Sequence, residues 1–293
     1  MSRNNLRDNL ITSLIRILLV FPTRLTHRII FFLLKHAQEG PLPTKFGFLI
    51  HFRFKNPPLA KIDRDVIIGW YEDRDLMLIK RFIRPGDYVI DVGAYKGYYT
   101  MFMSKIVGRN GKVFSFEPNK SNIYFLRKNI EHNSLANVEI IEKACDKEKA
   151  EKDPYLDRQD DTGGTIQRFS YYDTYKTEKV GVDRLDSYLK DLRHAVSFIK
   201  IDTEGNDFNV IMGAEKIIEK DAPTLCFEVS LVHWAYLDLS ISRLFEYLKS
   251  KGYETFFFGN GKLMPYRLFY EKSTNMFAIH SSRIAEWADI IAR

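Results

Sequence analysis

Cysteine is scarce in this sequence, and its distribution excludes several classes of protein. The 293 residues contain two cysteines, Cys145 and Cys226, which lie far apart inside apolar stretches. This spacing excludes a disulfide framework and does not suggest a zinc site. Buried, inert thiols in a reducing compartment are the expected state, so we predict a cytoplasmic protein.

Acidic residues are nearly absent from the first 36 residues, where Asp8 stands among six basic side chains. This segment carries +5 of the chain's net charge of +6. The remaining 257 residues have 38 basic and 37 acidic side chains and are therefore nearly neutral. The high isoelectric point describes a basic N-terminal segment and does not indicate a nucleic-acid partner.

The basic segment also lacks an apolar run of the roughly 20 residues that span a bilayer and the cleavage site of a signal peptide. Its apolar residues recur at helical spacing: Leu10, Ile11, Leu14, Ile15 and Leu18, followed after Pro22 by the run 29–34. We predict a basic amphipathic helical segment over 1–40. Two interpretations stay open. Residues 1–36 lie on the inner face of an anionic membrane, or they pack on the domain or on a second subunit of a homo-oligomer.

Strand and helix patterns alternate through the rest of the chain. Residues 41–84 form a β/α lead-in with a β-prone stretch at 46–54. From residue 85 the alternation repeats five times, which predicts a doubly wound parallel α/β sheet. Two late strands, separated by the hairpin sequence "GNGK", complete a domain over 85–282. Helices are predicted at 73–82, 97–107, 119–131, 183–192, 208–218, 241–251 and 283–293.

Glycines and acidic residues follow the predicted strands. Ligands of doubly wound sheets bind at the carboxyl ends of the strands, and carboxylates buried there are costly unless they are used. The residues at these ends form the predicted site: Asp91, Gly93, Ala94, Tyr95, Gly97, Glu117, Asp146, Asp202, Glu204 and Glu228.

Gly93 and Gly97 form a Gly-x-x-x-Gly turn rather than the full Gly-x-Gly-x-x-Gly of dinucleotide folds. Glu117 ends the next strand, twenty residues after Gly97, where a carboxylate can accept hydrogen bonds from both ribose hydroxyls. This spacing predicts a cofactor that contains adenosine, and both NAD and S-adenosylmethionine satisfy it. A pyrophosphate favours small residues at the helix N-terminus, whereas the stretch 95–99 is rich in tyrosine. Because aromatic faces suit a sulfonium, S-adenosylmethionine is favoured.

An NAD-dependent oxidoreductase or epimerase is the alternative from another enzyme class. Such an enzyme needs a Tyr-x-x-x-Lys pair near the cofactor, and Tyr172 and Lys176 have that spacing. They lie in an irregular, charged stretch rather than on a helix after a core strand. This placement makes the alternative weak.

Several motifs together resemble a known family. "VIDVGAYKGYYT", "GKVFSFEPN", "FIKIDTEGND" and "APTLCFEV" occur in the order and spacing of FkbM-type S-adenosylmethionine-dependent methyltransferases, over roughly residues 68–280. The resemblance implies a Rossmann-like class I methyltransferase fold, with a mostly parallel seven-stranded sheet and an antiparallel last strand. It also implies O-methylation of a hydroxyl, often on a sugar of a glycan, glycolipid or glycosylated natural product.

The same resemblance implies roles for the cofactor-binding residues. Gly93, Tyr95 and Gly97 would line the methionine part of the cofactor, and Asp91 and Ala94 belong to the same turn. Glu117 would hold the ribose, and Asp146 would face the edge of the adenine.

The predicted catalytic residues are Asp202, Glu204 and Glu228, which follow the last two parallel strands. An alcohol needs its proton removed to attack at neutral pH. One acid could act as general base, or the three acids could hold a divalent metal ion that acidifies the hydroxyl. Against these roles, Lys200 could neutralise Asp202 and Glu204 could orient the following helix. His233 is an alternative base.

The residues expected to recognise the acceptor lie in regions where the sequence pattern is weaker. Residues 160–175, with Gly163 and Gly164, are expected to fold over the acceptor. A nucleic-acid or other small-molecule methyltransferase is the alternative within the same enzyme class. The nearly neutral domain and the lack of an Asn/Asp-Pro-Pro-Tyr motif argue against nucleic acid.

Overall fold

One eight-stranded sheet organises the chain, whose structure is a computed structural model. The structure describes residues 10–11, 13–15, 17–18, 24–34, 36, 39–53, 61–68, 73–152, 155–157, 174–176, 179–230, 241–266 and 273–292. The helices are α1 (Arg24–Leu34), α2 (Lys61–Ile68), α3 (Asp73–Phe82), α4 (Tyr98–Val107), α5 (Lys120–His132), α6 (Leu185–Tyr188), α7 (Asp207–Gly213), α8 (Glu215–Asp221) and α9 (Ile241–Ser250). The strands are β1 (Glu39–Pro43), β2 (Leu49–Arg53), β3 (Tyr88–Val92), β4 (Lys112–Phe116), β5 (Val138–Ile141), β6 (Ala144–Cys145), β7 (Ala150–Lys152), β8 (Tyr155–Asp157), β9 (Thr174–Lys176), β10 (Val180–Asp183), β11 (Val196–Ile201), β12 (Thr224–Ser230), β13 (Tyr253–Gly259), β14 (Lys262–Pro265) and β15 (Ser273–His280).

The sheet has the order β14-β13-β15-β12-β11-β3-β4-β5. Neighbouring strands from β12 to β5 are parallel, and β15 is antiparallel to both β12 and β13. The mostly parallel, Rossmann-like sheet with an antiparallel last strand is thereby confirmed. The sheet has one strand more than the predicted seven. Asn260 and Gly261 have φ values of 53° and 77°, as a tight hairpin turn requires, so the chain folds back and adds β14 to the edge.

Side chains of the strands alternate between the two faces of the sheet and form two apolar layers. Val89 of β3 and Phe198 of β11 belong to the layer that includes α3 and α4. The next residues, Ile90 and Ile199, belong to the layer that includes α7, α8 and α9. Because helices cover both faces, the carboxyl ends of the parallel strands are the part of the sheet left open for a site.

Two predicted helices have a different extent in the structure. The stretch 208–218 belongs to two helices, α7 and α8, which meet at Ala214. Just before this break, Gly213 lies so close to the backbone of Asp146 that an added Cβ would stand 2.2 Å from its carbonyl oxygen. The helix predicted at 183–192 is confined to α6, because β10 pairs with β6 and β7.

The C-terminal residues form a 3-10 helix, Ser281–Trp287, in place of the predicted helix over 283–293. Trp287 is buried edge-on against Phe82, with ring centroids 4.9 Å apart. Ile291 forms an isolated bridge to Leu263 of β14. These contacts with distant residues explain why local helical spacing gave the wrong extent.

The basic N-terminal segment packs on the domain through one apolar side, next to the lead-in. Residues 10–11, 13–15 and 17–18 are helical, and β1 and β2 form an antiparallel hairpin. Packing on the domain is thus observed: the side chains buried in the apolar layer of α3 and α4 are Ile11, Ile15, Ile30 and Leu34. In the part of the chain that the structure describes, no helix is long and apolar enough to cross a membrane.

One buried asparagine of α5 joins the lead-in to the turn after β3. Asn129 is 0% exposed. Its Oδ1 accepts a hydrogen bond from the amide of His51 in β2 at 2.6 Å. Its Nδ2 donates to the carbonyl oxygen of Lys96 at 2.7 Å. The turn that carries the predicted site is therefore fixed to β2 through α5.

Replacing this asparagine tests the link. Asn129→Ala removes the acceptor of one buried group and the donor to another, and each unpaired group costs about 1–3 kcal/mol. We expect the free energy of unfolding, measured by urea denaturation, to fall by at least about 2 kcal/mol. Asn110→Ala, the same change at an exposed turn residue, is the control. Equal stability of the two variants would contradict the link.

Candidate active site

The turn after β3 passes directly over the end of β11. Gly93 has a φ of +83°, and a Cβ added to it would lie 1.8 Å from the carbonyl oxygen of Asp202. The amide of Asp202 donates to the carbonyl of Val92 at 2.9 Å. At the other end of the turn, a Cβ on Gly97 would lie 2.4 Å from Leu126. The first glycine therefore lets two strand ends meet, and the second lets α4 begin against α5.

A cavity opens at this meeting of strand ends. Its empty volume, with the solvent of its open mouth included, is about 1160 Å³. Most of the predicted site residues line it: Asp91, Gly93, Ala94, Tyr95, Glu117, Asp202 and Glu204. Gly97, Asp146 and Glu228 are outside the lining.

Glu117 lies at the end of β4 with its carboxylate held by backbone amides. It is 5% exposed. Oε2 accepts from the amide of Tyr95 at 2.8 Å, and Oε1 accepts from the amide of Asn119 at 2.8 Å. Burial nevertheless raises the pKa of Glu117 to about 7. Since a carboxylate oxygen can accept two hydrogen bonds, Oε2 can also accept one from a ligand hydroxyl in the cavity.

Asp91 is fixed beneath the same turn. It is 2% exposed, and its Oδ2 accepts from the hydroxyl of Thr100 at 2.5 Å. The Thr100 hydroxyl also lies 2.8 Å from that of Ser115. Burial raises the pKa of Asp91 to about 6. This carboxylate ties the end of β3 to the first turn of α4.

The lead-in supplies one wall of the cavity and a buried acid that holds the turn. Asp63 of α2 is 2% exposed. It accepts from the hydroxyl of Tyr95 at 3.2 Å and forms an ion pair with Lys96. Apolar side chains of β2 and α2 complete the wall: Ile50, Phe52, Ile62 and Val66. The sequence analysis missed all five residues, because no local motif shows that the lead-in docks on this turn.

Asp202 faces the cavity beside a fully buried lysine. Lys200 is 0% exposed, and its Nζ lies 3.1 Å from Oδ2 of Asp202, whose side chain is 28% exposed. Nζ also donates to Oδ1 of Asn275 at 3.3 Å, and it lies 5.1 Å from the centroid of the Tyr99 ring. The pairing that the sequence suggested between Lys200 and Asp202 is observed, and it leaves the carboxylate in contact with the cavity.

Glu204 and Glu228 occupy different positions. Glu204 lines the cavity, in a turn where its φ is 50°. The amide of Glu228 donates to Oδ1 of Asp207 at 3.1 Å, and Glu228 is outside the lining. The three predicted catalytic acids therefore do not all converge. Among the residues that the structure describes, no group of three or more His, Cys, Asp or Glu side chains is placed to hold a metal ion.

Asp207, at the first position of α7, was not predicted. It is 0% exposed, and its Oδ2 accepts from the hydroxyl of Thr203 at 2.9 Å. Burial, together with the charges of Asp202 and Glu228, raises the pKa of Asp207 to about 7. Its carboxylate joins the ends of β11 and β12. The only sequence signal is an acid at a helix start, which is common at surfaces as well.

Asp146 does not reach the cavity. Its Oδ1 accepts from the amide of Lys147 at 2.6 Å, and its carboxylate forms an ion pair with Lys152. The pairing of β6 with β10 turns Asp146 toward β7, because its amide donates to the carbonyl of Asp183 at 3.1 Å. The residues of this segment that line the cavity are Lys143, Ala144 and Cys145.

The remaining predicted residues cannot be placed. His233, Tyr172 and the stretch 158–173, which contains Gly163 and Gly164, lie outside the described residues. Of Lys176 only the backbone is described, in β9, which pairs with β8.

The cavity fits S-adenosylmethionine. The turn at Gly93 leaves backbone where a side chain would block the approach, and Glu117 offers a buried carboxylate to ribose hydroxyls. Aromatic side chains, among them Tyr98 and Tyr99, line the cavity and suit a positively charged sulfonium.

Comparison with known proteins also indicates a methyltransferase. The sequence model of the family "Methyltransferase FkbM domain" matches residues 91–255. A protein described as "Probable cobalt-precorrin-6B C(15)-methyltransferase (decarboxylating)" from Sulfolobus acidocaldarius is 41% identical over 71 residues, which are 24% of this chain and 37% of that protein. The match thus spans little more than a third of that relative.

Two solved structures are examples of structural similarity to this chain. One is the methyltransferase FkbM from Methylobacillus flagellatus, with a TM-score of 0.42, 14% identity and coverage of 69% of this chain and 50% of that chain. The other is Aeropyrum pernix fibrillarin with natively bound S-adenosyl-L-methionine, with a TM-score of 0.42, 13% identity and coverage of 70% and 73%.

Fold and site together define an S-adenosylmethionine-dependent methyltransferase. The family model covers more than half of the chain, and the chain belongs to the FkbM methyltransferase family.

The contact at Gly93 can be tested by comparison with Gly86, a glycine that has a similar positive φ but no close neighbour. Gly93→Ala adds a Cβ that overlaps the Asp202 carbonyl, whereas Gly86→Ala adds one at a φ of +92° with nothing within 4 Å. Both variants are destabilised by the strain of an alanine at a positive φ, about 1 kcal/mol. We expect only Gly93→Ala to weaken S-adenosylhomocysteine binding, by more than about tenfold, in calorimetry. Equal binding by both variants would show that the close approach is not required.

The raised pKa of Glu117 predicts that cofactor binding depends on pH. The ionised carboxylate is the stronger acceptor, so affinity for S-adenosylhomocysteine should rise as the pH rises through about 7. Glu117→Gln should lower affinity at pH 8 by roughly 10- to 100-fold, the value of about one hydrogen bond to a charged acceptor, and should flatten this pH profile. Calorimetry across the range measures both effects. Glu254→Gln, at an exposed position, is the control, and an unchanged profile in Glu117→Gln would assign the titration to another group.

Proposed function

We propose that this methyltransferase transfers the methyl group to a hydroxyl oxygen, and that the acceptor is a sugar of a glycan, glycolipid or glycosylated natural product. The observation that carries the proposal is the Asp202 carboxylate, which faces the cavity beside the Gly93 turn and is backed by the buried Lys200. An acid in this place suits an acceptor that has to lose a proton.

Asp202 is the proposed general base. The bound cofactor supplies an electrophilic methyl group and a neutral leaving group. As the hydroxyl oxygen attacks, its proton passes to a carboxylate oxygen of Asp202. Lys200 donates a hydrogen bond to Oδ2 of this carboxylate at 3.1 Å and, with Asn275 behind it, keeps the carboxylate in place. The protein's contribution is thus the position of the oxygen and the removal of its proton.

The rest of the cavity supports an acceptor with both polar and apolar parts. Glu204 lies beside Asp202 in the lining and can accept hydrogen bonds from further sugar hydroxyls. The wall from β2 and α2 is apolar, with Ile50 and Phe52 among its residues. A sugar joined to an apolar group matches this division. The two buried cysteines agree with a cytoplasmic site of reaction.

The acceptor class can be tested directly. Purified enzyme and S-adenosylmethionine with a labelled methyl group are added to glycolipid, glycan, protein and RNA fractions of cells that lack the gene. We expect label in a sugar-containing fraction, as an ether methyl identified by mass spectrometry. Label on nitrogen or carbon, or in RNA, would contradict the proposal.

The role of Asp202 predicts a split between turnover and binding. Asp202→Asn keeps shape but loses the charge, so turnover should fall by about 10²-fold or more, the scale of general-base catalysis. Affinity for S-adenosylhomocysteine should change little. Asp191→Asn, at an exposed position, controls for the loss of one charge. Normal turnover in Asp202→Asn would exclude the assignment.

A chelator distinguishes two roles for Asp202, general base and metal ligand. Full activity of the wild type in excess chelator supports a carboxylate that takes the proton itself. Loss of activity that added Mg²⁺ restores would instead make Asp202 a metal ligand.

A further inference from the structure

Exposed apolar side chains are concentrated at the N-terminus. Of the eight large hydrophobic residues that are exposed in the described part of the chain, two lie elsewhere, Met77 and Tyr124. The other six, here called the N-terminal apolar surface, are 38% to 66% exposed: Leu10, Leu14, Ile17, Leu25, Ile29 and Phe32. Single exposed hydrophobic residues are ordinary, whereas several within one short segment are typical of an interaction surface.

The six residues have the same spacing on both helical stretches. Leu10, Leu14 and Ile17 are separated by four and three residues, and so are Leu25, Ile29 and Phe32 of α1. Residues at this spacing share one face of a helix. The residues that anchor these stretches to the domain are others, with exposures of 0% to 7%: Ile11, Ile15, Ile30 and Leu34. Each stretch therefore has one apolar side on the domain and a second apolar side in contact with solvent.

The charge of residues 1–36 indicates which kind of partner suits the N-terminal apolar surface. Residues 1–36 have six basic residues and one acidic residue, and Arg28 is exposed on α1. Two copies of this segment facing each other would repel. An anionic bilayer complements both properties, since it attracts basic residues at the headgroups and accepts apolar side chains just below them.

The length of the segment determines how it can bind a bilayer. α1 has 11 residues, about 16 Å at 1.5 Å per residue, which is about half of the hydrocarbon thickness. The exposed apolar side chains of α1 also lie along one face of the helix. Such a helix lies in the plane of the interface.

We propose that residues 1–36 bind the surface of an anionic lipid bilayer, with the N-terminal apolar surface inserted at the boundary between headgroups and acyl chains. The structure thus accommodates both interpretations of this segment. One side packs on the domain, and a second side binds lipid. The proposal does not depend on the identity of the methyl acceptor.

Vesicle co-sedimentation of the full chain tests the proposal. The probes are phosphatidylcholine vesicles with and without phosphatidylglycerol, at low and high salt. We expect binding to the anionic vesicles at least about tenfold tighter than to the neutral ones, with high salt weakening it because exposed charges are screened. Absence of binding to anionic vesicles, or equal binding to both kinds, overturns the proposal.

Serine variants locate the surface. Leu25→Ser, Ile29→Ser and Phe32→Ser combined should weaken binding to anionic vesicles by at least about tenfold, because three inserted side chains lose their burial. The matched control combines Met77→Ser and Tyr124→Ser, which removes exposed apolar residues elsewhere and should leave binding unchanged. Because all five positions are exposed, thermal melting should match the wild type.

Sedimentation equilibrium without lipid tests whether a second copy of the chain, rather than a bilayer, covers the N-terminal apolar surface. A monomer that binds vesicles agrees with the proposal. A dimer that the triple serine variant dissociates, together with vesicle binding that the variant leaves unchanged, would assign the surface to a second copy of the chain and overturn the proposal. Should the triple variant melt early, the single variants Leu25→Ser and Phe32→Ser are measured in its place, and unchanged binding by both would overturn it too.

Discussion

The close approach of Gly93 to the Asp202 carbonyl is the contact on which the rest of the site depends. β3 and β11 are parallel neighbours, and their ends are joined by the hydrogen bond from Asp202 to Val92. Because Gly93 has no Cβ, the turn after β3 can pass over the end of β11 rather than away from it. The same turn then presents the Tyr95 amide to Glu117. The cofactor turn, the proposed ribose acceptor and the proposed base thus share one cavity because one position carries no side chain.

Buried carboxylates give this cavity its electrostatic character. Burial raises the pKa values of Asp91 and Glu117, which line the cavity, to about 6 and 7. Over the range between the ordinary and the raised values, the folded protein binds more protons than the unfolded chain. The contribution of these groups to stability is therefore largest below about pH 4 and is lost as the pH rises toward 7. A ligand that brings positive charge and hydroxyl donors offsets this cost, which makes the ligand-free site the less stable form near neutral pH.

The lead-in completes a cavity that the family domain leaves open on one side. The family match begins at residue 91, whereas the apolar wall and Asp63 come from β2 and α2. Asp63 holds Tyr95 and Lys96, and Asn129 ties the same turn to β2. The part of the chain outside the family match therefore shapes the site, and its outer face is the surface that we infer to bind lipid.

The sequence by itself determined the alternating α/β fold, the glycine turn and the acids at the strand ends, because these depend on local spacing and on the rule that parallel strands present their carboxyl ends together. Tertiary structure decided which acids share the cavity. Asp146 and Glu228 lie near strand ends as Asp202 does. The pairing of β6 with β10 turns Asp146 toward Lys152, and Glu228, whose amide donates to Asp207, is outside the cavity lining. It also decided the roles of Asp63, Asn129 and Asp207. Each acts through contacts with residues distant in sequence, and such contacts leave no periodic or local pattern to read.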